Sequence, residues 1–192
     1  MIDGPLDPAQ WVAFDLERGI VHVDGERPHA VVPAAALGAL LGAAAEVDRA
    51  AFARAVGEAM GARVASRLGG VDAVRAATPE AVLTQVAAEL AVAGLGALAV
   101  ERWGRALIVV VDTPFAADAD DWLECLLGAA FSVATGLDAD AAALERDAGR
   151  AFFMLTSKEM VGRVRGLRYR SRRFLDALAD LHDDAPAEGA PT

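Results

Sequence analysis

Phe52, Val56, Met60, Val64 and Leu68 recur at every fourth position. That spacing predicts a helix with one core face, running from a cap at Asp48 to about Leu68. Gly57 and Gly61 lie one turn apart beside this stripe, and each costs about 1 kcal/mol of helix propensity relative to Ala. Their presence predicts close approach of another backbone, and Gly69-Gly70 then stops the helix. Before it, Pro33 opens an apolar helix, Ala34 to Ala45. After it, Thr78-Pro79-Glu80 combines a cap, a proline at the first helical position and an acid in the first turn. The helix that starts there buries Val82, Leu83, Val86 and Leu90, and Gly94 and Gly96 end it.

Strand signals flank these helices. Trp11, Phe14 and Leu16, then Ile20–Val23, then His29–Val32 read as an N-terminal meander. Its turns are Glu17-Arg18-Gly19 and Asp24-Gly25. Ala97–Glu101 and Arg105–Asp112 form a second strand pair, and the unbroken apolar run 106–111 predicts a central strand covered on both faces. Asp118, Asp120 and Asp121 lead into a helix from Trp122 to Thr135. Ala141–Arg146 and Arg150–Leu155 form a hairpin across Asp147-Ala148-Gly149. Ser157 caps a last helical region that reaches about Leu181.

Runs of helices alternating with antiparallel strand pairs indicate an α+β fold, with an antiparallel sheet packed against about four helices. The expected organisation is a loose lead-in (1–10), one α+β domain (11–156), an Arg-rich helical arm (157–182) and a disordered acidic tail (183–192). The 192 residues suit one domain. MIDGPLDP has neither the basic flank nor the apolar core of a signal peptide. The longest uncharged stretch, Ala30–Ala45, is too short and too Ala- and Gly-rich for a bilayer span. A single cysteine, Cys125, excludes an internal disulfide framework and a Cys-rich zinc site. It also agrees with a reducing, cytoplasmic setting. Alanine dominance, the lack of Asn and the near-replacement of Lys by Arg point to a GC-rich bacterial genome.

Charge changes the picture in one place. The chain carries 18 basic and 28 acidic residues, net −10. Seven of the basic ones (Lys158, Arg163, Arg165, Arg168, Arg170, Arg172 and Arg173) lie within 158–173 against Glu159 alone. That arm is +6, and the rest of the chain is −16. Arg forks suit phosphates and carboxylates. The arm therefore fits nucleic acid or an anionic lipid surface, an acidic partner protein, or the protein's own acidic body.

Catalytic chemistry finds few candidates. His22, His29 and His182 have no partner at metal-ligand spacing. Cys125 lies among leucines beside Glu124, which disfavours a thiolate. Ser132 lacks the flanking glycines of a nucleophile elbow. Gly94-Leu-Gly96 follows a helix rather than a strand, the wrong order for dinucleotide binding. No catalytic residue, metal site or cofactor is expected.

Three segments carry a family resemblance: VDGERPHAVVPAAALGALL, VGEAMGARVASRL, and the block VVVDTPFA, CLLGAAFSVATG, ALERDAGRAFFMLT. Over about residues 11–156 the chain resembles the TRAPP-like (Bet-family) fold, in particular its prokaryotic 4-vinyl reductase-type branch. The resemblance implies dimerisation through helices and an apolar pocket between sheet and helices. Many prokaryotic relatives carry cysteines for a metal in the closing hairpin. The corresponding stretch here, Leu144–Phe152, has none, so the resemblance implies no thiolate metal site in this chain.

The expected function is a non-enzymatic, dimerising adaptor or regulatory module that senses a small apolar ligand. Phe52, Met60, Trp122, Phe131 and Phe153 are the pocket candidates. Leu37, Leu40, Leu41, Val82, Val86 and Leu90 are the interface candidates, for a homodimer. Arg163, Arg165, Arg168, Arg170, Arg172 and Arg173 are candidates for docking a protein partner. Two alternatives stand beside this reading. One is a nucleic-acid-associated or anionic-surface-binding protein that uses the arm. The other is an enzyme acting on a tetrapyrrole-like substrate, which the family name suggests.

Overall fold

The computed structural model describes residues 7–23, 28–103, 106–112 and 120–170, with 28, 106 and 167–170 described by backbone alone. The Asp24-Gly25 turn, Asp118, Arg172, Arg173, His182 and the acidic tail lie outside the described residues.

Part of the expected lead-in is ordered. Pro8–Trp11 form a 3-10 turn, capped by the Asp7 carboxylate, which accepts from the Ala9 N–H at 3.1 Å. Strands β1 (Val12–Asp15), β2 (Ile20–Val23) and β3 (Pro28–His29) make an antiparallel three-stranded sheet. The third strand is only two residues long. Val31 and Val32, expected in it, are 73% and 54% exposed and belong to no strand among the described residues.

Helices α1 (Ala34–Ala43), α2 (Glu46–Arg67), α3 (Val71–Ala76) and α4 (Pro79–Val92) follow. The α4 start is as read: Thr78 Oγ1 accepts from the Ala81 N–H at 3.3 Å, and Pro79 stands at the first position. The start of α2 differs. Asp48 lies inside its first turn with Glu46, where both acids oppose the positive end of the helix dipole. The α1 carbonyl end is met by Arg49, which donates to the Leu41 and Ala44 carbonyls at 3.5 and 3.4 Å. Helix α3 was not expected. It has six residues, too few to show a period, and Gly70 at φ 103 precedes it where a side-chain cap would normally signal a start.

The second half of the chain is β4 (Ala97–Trp103), β5 (Ala106–Asp112), α5 (Asp120–Thr135), β6 (Ala139–Asp147), β7 (Arg150–Ser157) and α6 (Lys158–Arg170). Its four strands pair antiparallel in the order β4-β5-β7-β6. The β6–β7 turn places Ala148 and Gly149 at φ 45 and 84, the two-residue hairpin geometry that matches strand twist.

Strand β5 lies inside this sheet, and Ile108–Val111 are all at most 1% exposed. Val109 and Val111 join the helix-side core with Phe153. Ile108 and Val110 join Phe152 and Met154 beneath Val161 and Val164 of α6. The first turns of α6 are therefore a core layer, and this explains the lack of alternation in β5.

Two contacts tie the helices together. Gly57 and Gly61 of α2 face α5 so closely that an added Cβ would overlap the Leu126 and Ala130 carbonyl oxygens. It would also lie 3.0 Å from the Ala129 and Val133 Cβ atoms, respectively. The expected backbone approach is thus present, and α5 is its partner. The stripe beside it divides: Met60 and Val64 are buried, whereas Phe52 is 43% exposed.

The second contact joins α2 to α4. Glu89, 1% exposed, accepts from Arg63 Nη2 at 2.7 Å and from Arg67. Arg67 Nε also donates to Gln85 Oε1 at 3.0 Å, and its guanidinium lies 3.9 Å from the Trp11 ring centroid. A buried carboxylate needs such partners, because an uncompensated one costs several kcal/mol.

The glycine contact has a direct test. Gly61→Ala should lower stability by about 1–3 kcal/mol through overpacking. Gly42→Ala, on α1 with nothing near its added Cβ, should raise it by up to about 1 kcal/mol. Denaturant titration of both variants checks the contrast.

Candidate functional site

A cavity of about 550 Å³ opens at one end of the four-stranded sheet. Helix α3 contributes Val74, α4 contributes Val82 and Leu83, β5 contributes Leu107, α5 contributes Phe131 and β7 contributes Leu155.

Polar groups stand at the rim, and most are committed to helix ends. Arg75 Nε donates to the Thr135 carbonyl at 2.9 Å and Nη2 to the Gly136 carbonyl at 2.8 Å, which caps α5 with a cation as its dipole favours. Thr135 Oγ1 donates to the Phe131 carbonyl at 2.6 Å. Ser157 Oγ accepts from the Met160 N–H at 3.4 Å and so caps α6. Asp138 pairs with Lys158 Nζ at 2.5 Å, and this hydrogen bond and charge hold the Lys158 ammonium above its usual range. What remains for a ligand is mainly an apolar surface.

Of the five expected pocket residues, only Phe131 lines this cavity. Met60 and Phe153 are 2% and 0% exposed in the core. Trp122 is buried beneath Phe52, their ring centroids 6.2 Å apart. Met60, Trp122 and Phe153 thus belong to the main core, Phe153 from β7, and Phe52 lies at its edge against Trp122. Sequence reasoning passed over Val74, Leu107 and Leu155 because they are ordinary aliphatics. Val74 was hidden as well by the short helix that carries it.

The expected interface residues also separate. Val82, Val86 and Leu90 are 6%, 0% and 0% exposed, so the α4 face read as available to a partner packs inside the chain. Leu41 is buried and Leu37 half-buried, while Leu40 is 66% exposed. Helix α1 is apolar on every side, yet Leu41 is its one buried residue.

In the arm, Arg165 bonds to Glu124 on α5, its Nε donating to Oε1 at 2.8 Å. Glu124, 5% exposed, also accepts from the Ala143 N–H at 3.3 Å. One arm residue thus docks on the protein's own acidic body. Arg163 is exposed, and Arg168 and Arg170 belong to α6 by backbone alone.

Candidates for other chemistry have structural partners. Ser132 Oγ donates to the Leu137 carbonyl at 2.9 Å beyond the end of α5. Burial pushes the Cys125 thiol above its usual range, and the nearby Glu124 adds to the shift. Among the described residues, no three His, Cys, Asp or Glu side chains gather as a metal ligand set. No helix there is long and apolar enough to cross a membrane.

No protein-family model matches the chain, and no curated protein sequence matches it. Among solved structures, the chain is similar to the phenol-responsive sensory domain of the transcription activator PoxR, determined with phenol. The TM-score is 0.59 at 17% identity, covering 93% of this chain and 94% of that one. At this identity the likeness establishes a shared α+β fold.

The thiol assignment is open to measurement. Cys125 in the folded protein should react with a disulfide reagent at pH 8 several-fold more slowly than in the unfolded chain, because the raised value leaves less thiolate. Equal rates would show that α5 does not shelter it.

Proposed function

We propose that this protein is a non-enzymatic sensing module for a small apolar molecule, held in the cavity between α3, α4, α5 and the sheet. The cavity itself carries the reading. Its volume falls within the range of about 300–1,000 Å³ typical of small-molecule sites. Its walls are aliphatic and aromatic, and its rim polar groups are largely committed elsewhere. The fold likeness supports the same reading, since the similar domain is described as phenol-responsive and belongs to a transcription activator. Membership of the TRAPP-like class, a cytoplasmic setting and a protein partner for the Arg-rich arm are parts of the same proposal.

The test is a thermal-shift series with phenol, indole and toluene. A ligand at about 100 times its Kd should stabilise the wild type by about 2.7 kcal/mol. Ala77→Trp, which fills the cavity from the end of α3, should abolish that gain while leaving the free protein folded. A wild type stabilised by none of the three, or an equal shift in the variant, would overturn the assignment.

We further propose that the module is a homodimer through α1. A helix that is apolar all round is ordinarily covered, and among the described residues this one is covered only along Leu37 and Leu41, with Leu40 66% exposed. Native mass spectrometry should give about twice 19.9 kDa, and Leu40→Glu should return a monomer. A wild-type monomer would remove this part of the proposal.

A further inference from the structure

The apolar cavity is not an isolated chamber. A second depression, a groove of about 510 Å³, runs between α4 and the edge strand β4, bordered by Glu80, Thr84, Leu98, Val100 and Arg102. Leu83 and Leu107 line both spaces. The wall between the cavity and the groove is therefore one layer of side chain. Leu83 projects from α4 and is 5% exposed, and Leu107 is half-buried near the start of β5. The two spaces differ in chemistry. The cavity is mainly apolar, whereas the groove mixes aliphatic side chains with an acid and a base.

We infer that Leu83 and Leu107 form a partition that limits how far an apolar ligand in the cavity extends toward the groove. This rests on the ligand reading above and deepens it. A longer apolar chain reaches the two leucines and cannot continue into the groove without displacing their side chains, which costs free energy. Removing either leucine joins the two spaces into one elongated site. Length selectivity then relaxes, because the added methylenes find room where the side chain stood.

The experiment is a calorimetric titration of the full chain with phenol and 4-n-alkylphenols of increasing chain length. In the wild type, affinity should rise roughly fourfold per methylene while the chain stays within the cavity, then fall sharply at a break point. In Leu83→Ala that break should move to longer chains by about two or three methylenes, the volume removed. Leu107→Ala should move it in the same direction, which provides a second route if Leu83→Ala does not fold. Leu98→Ala, which enlarges only the groove side, should leave the break where it is. A break unmoved in the folded leucine variants, or moved equally by Leu98→Ala, would overturn the partition while leaving the ligand reading intact. Failure of the wild type to bind any member would overturn the ligand reading, and the partition with it.

Discussion

The contact between α2 and α5 is the constraint on which the rest of the structure depends. Two glycines let the α5 backbone approach α2 more closely than any side chain permits. Helix α5 is gripped on its other side too. Its own Gly128 faces β6, where an added Cβ would lie 3.2 Å from the Ala141 amide nitrogen. The middle of α5 is thus held between α2 and β6 by small residues, with a smaller depression of about 260 Å³ beside Cys125, Gly128 and Ser132. Phe131 and Thr135, near its C-terminal end, border the larger cavity, while α2 stays in close contact there at Ala130, Val133 and Ala134.

The rim of that space shows how polar groups can surround an apolar cavity without making it polar. Arg75, Thr135 and Ser157 all face it, and each has a hydrogen bond to a helix terminus or helix carbonyl. Helix ends leave carbonyl and amide groups unsatisfied, and here the cavity's own border residues meet that need. A ligand that competed for those donors would have to unmake a helix cap. Discrimination in such a site falls to shape and size.

Much of this architecture was legible in the sequence, for particular reasons. The four-residue stripe of α2, the Thr78-Pro79-Glu80 start, the uninterrupted run in β5 and the Asp147-Ala148-Gly149 turn each express a local rule with one physical solution. The paired glycines pointed to a close backbone approach, because their cost in propensity demands compensation. What the sequence obscured depends on tertiary choice. Periodicity marks Val82, Val86 and Leu90 as a buried face but does not say whether the burial lies within the chain or between chains. Large aromatics attract attention as pocket residues, yet Phe153 and Trp122 fill space, and the cavity is bordered mostly by aliphatics with no distinguishing pattern. Helix α3 is shorter than the period that would reveal it.

The junction of β7 and α6 has a mechanical character. Strand β7 ends at Ser157 and α6 begins at Lys158 with no residue between them. A loop would absorb small displacements, and this junction has none to absorb them with. Thirteen helical residues extend about 20 Å from it. Rigid tilting by about five degrees at the strand end would carry the far turn through nearly 2 Å, given that rise per residue. Thr156 and Ser157 border the cavity at the fulcrum, so the rim of the cavity and the base of the basic helix are one continuous piece of backbone.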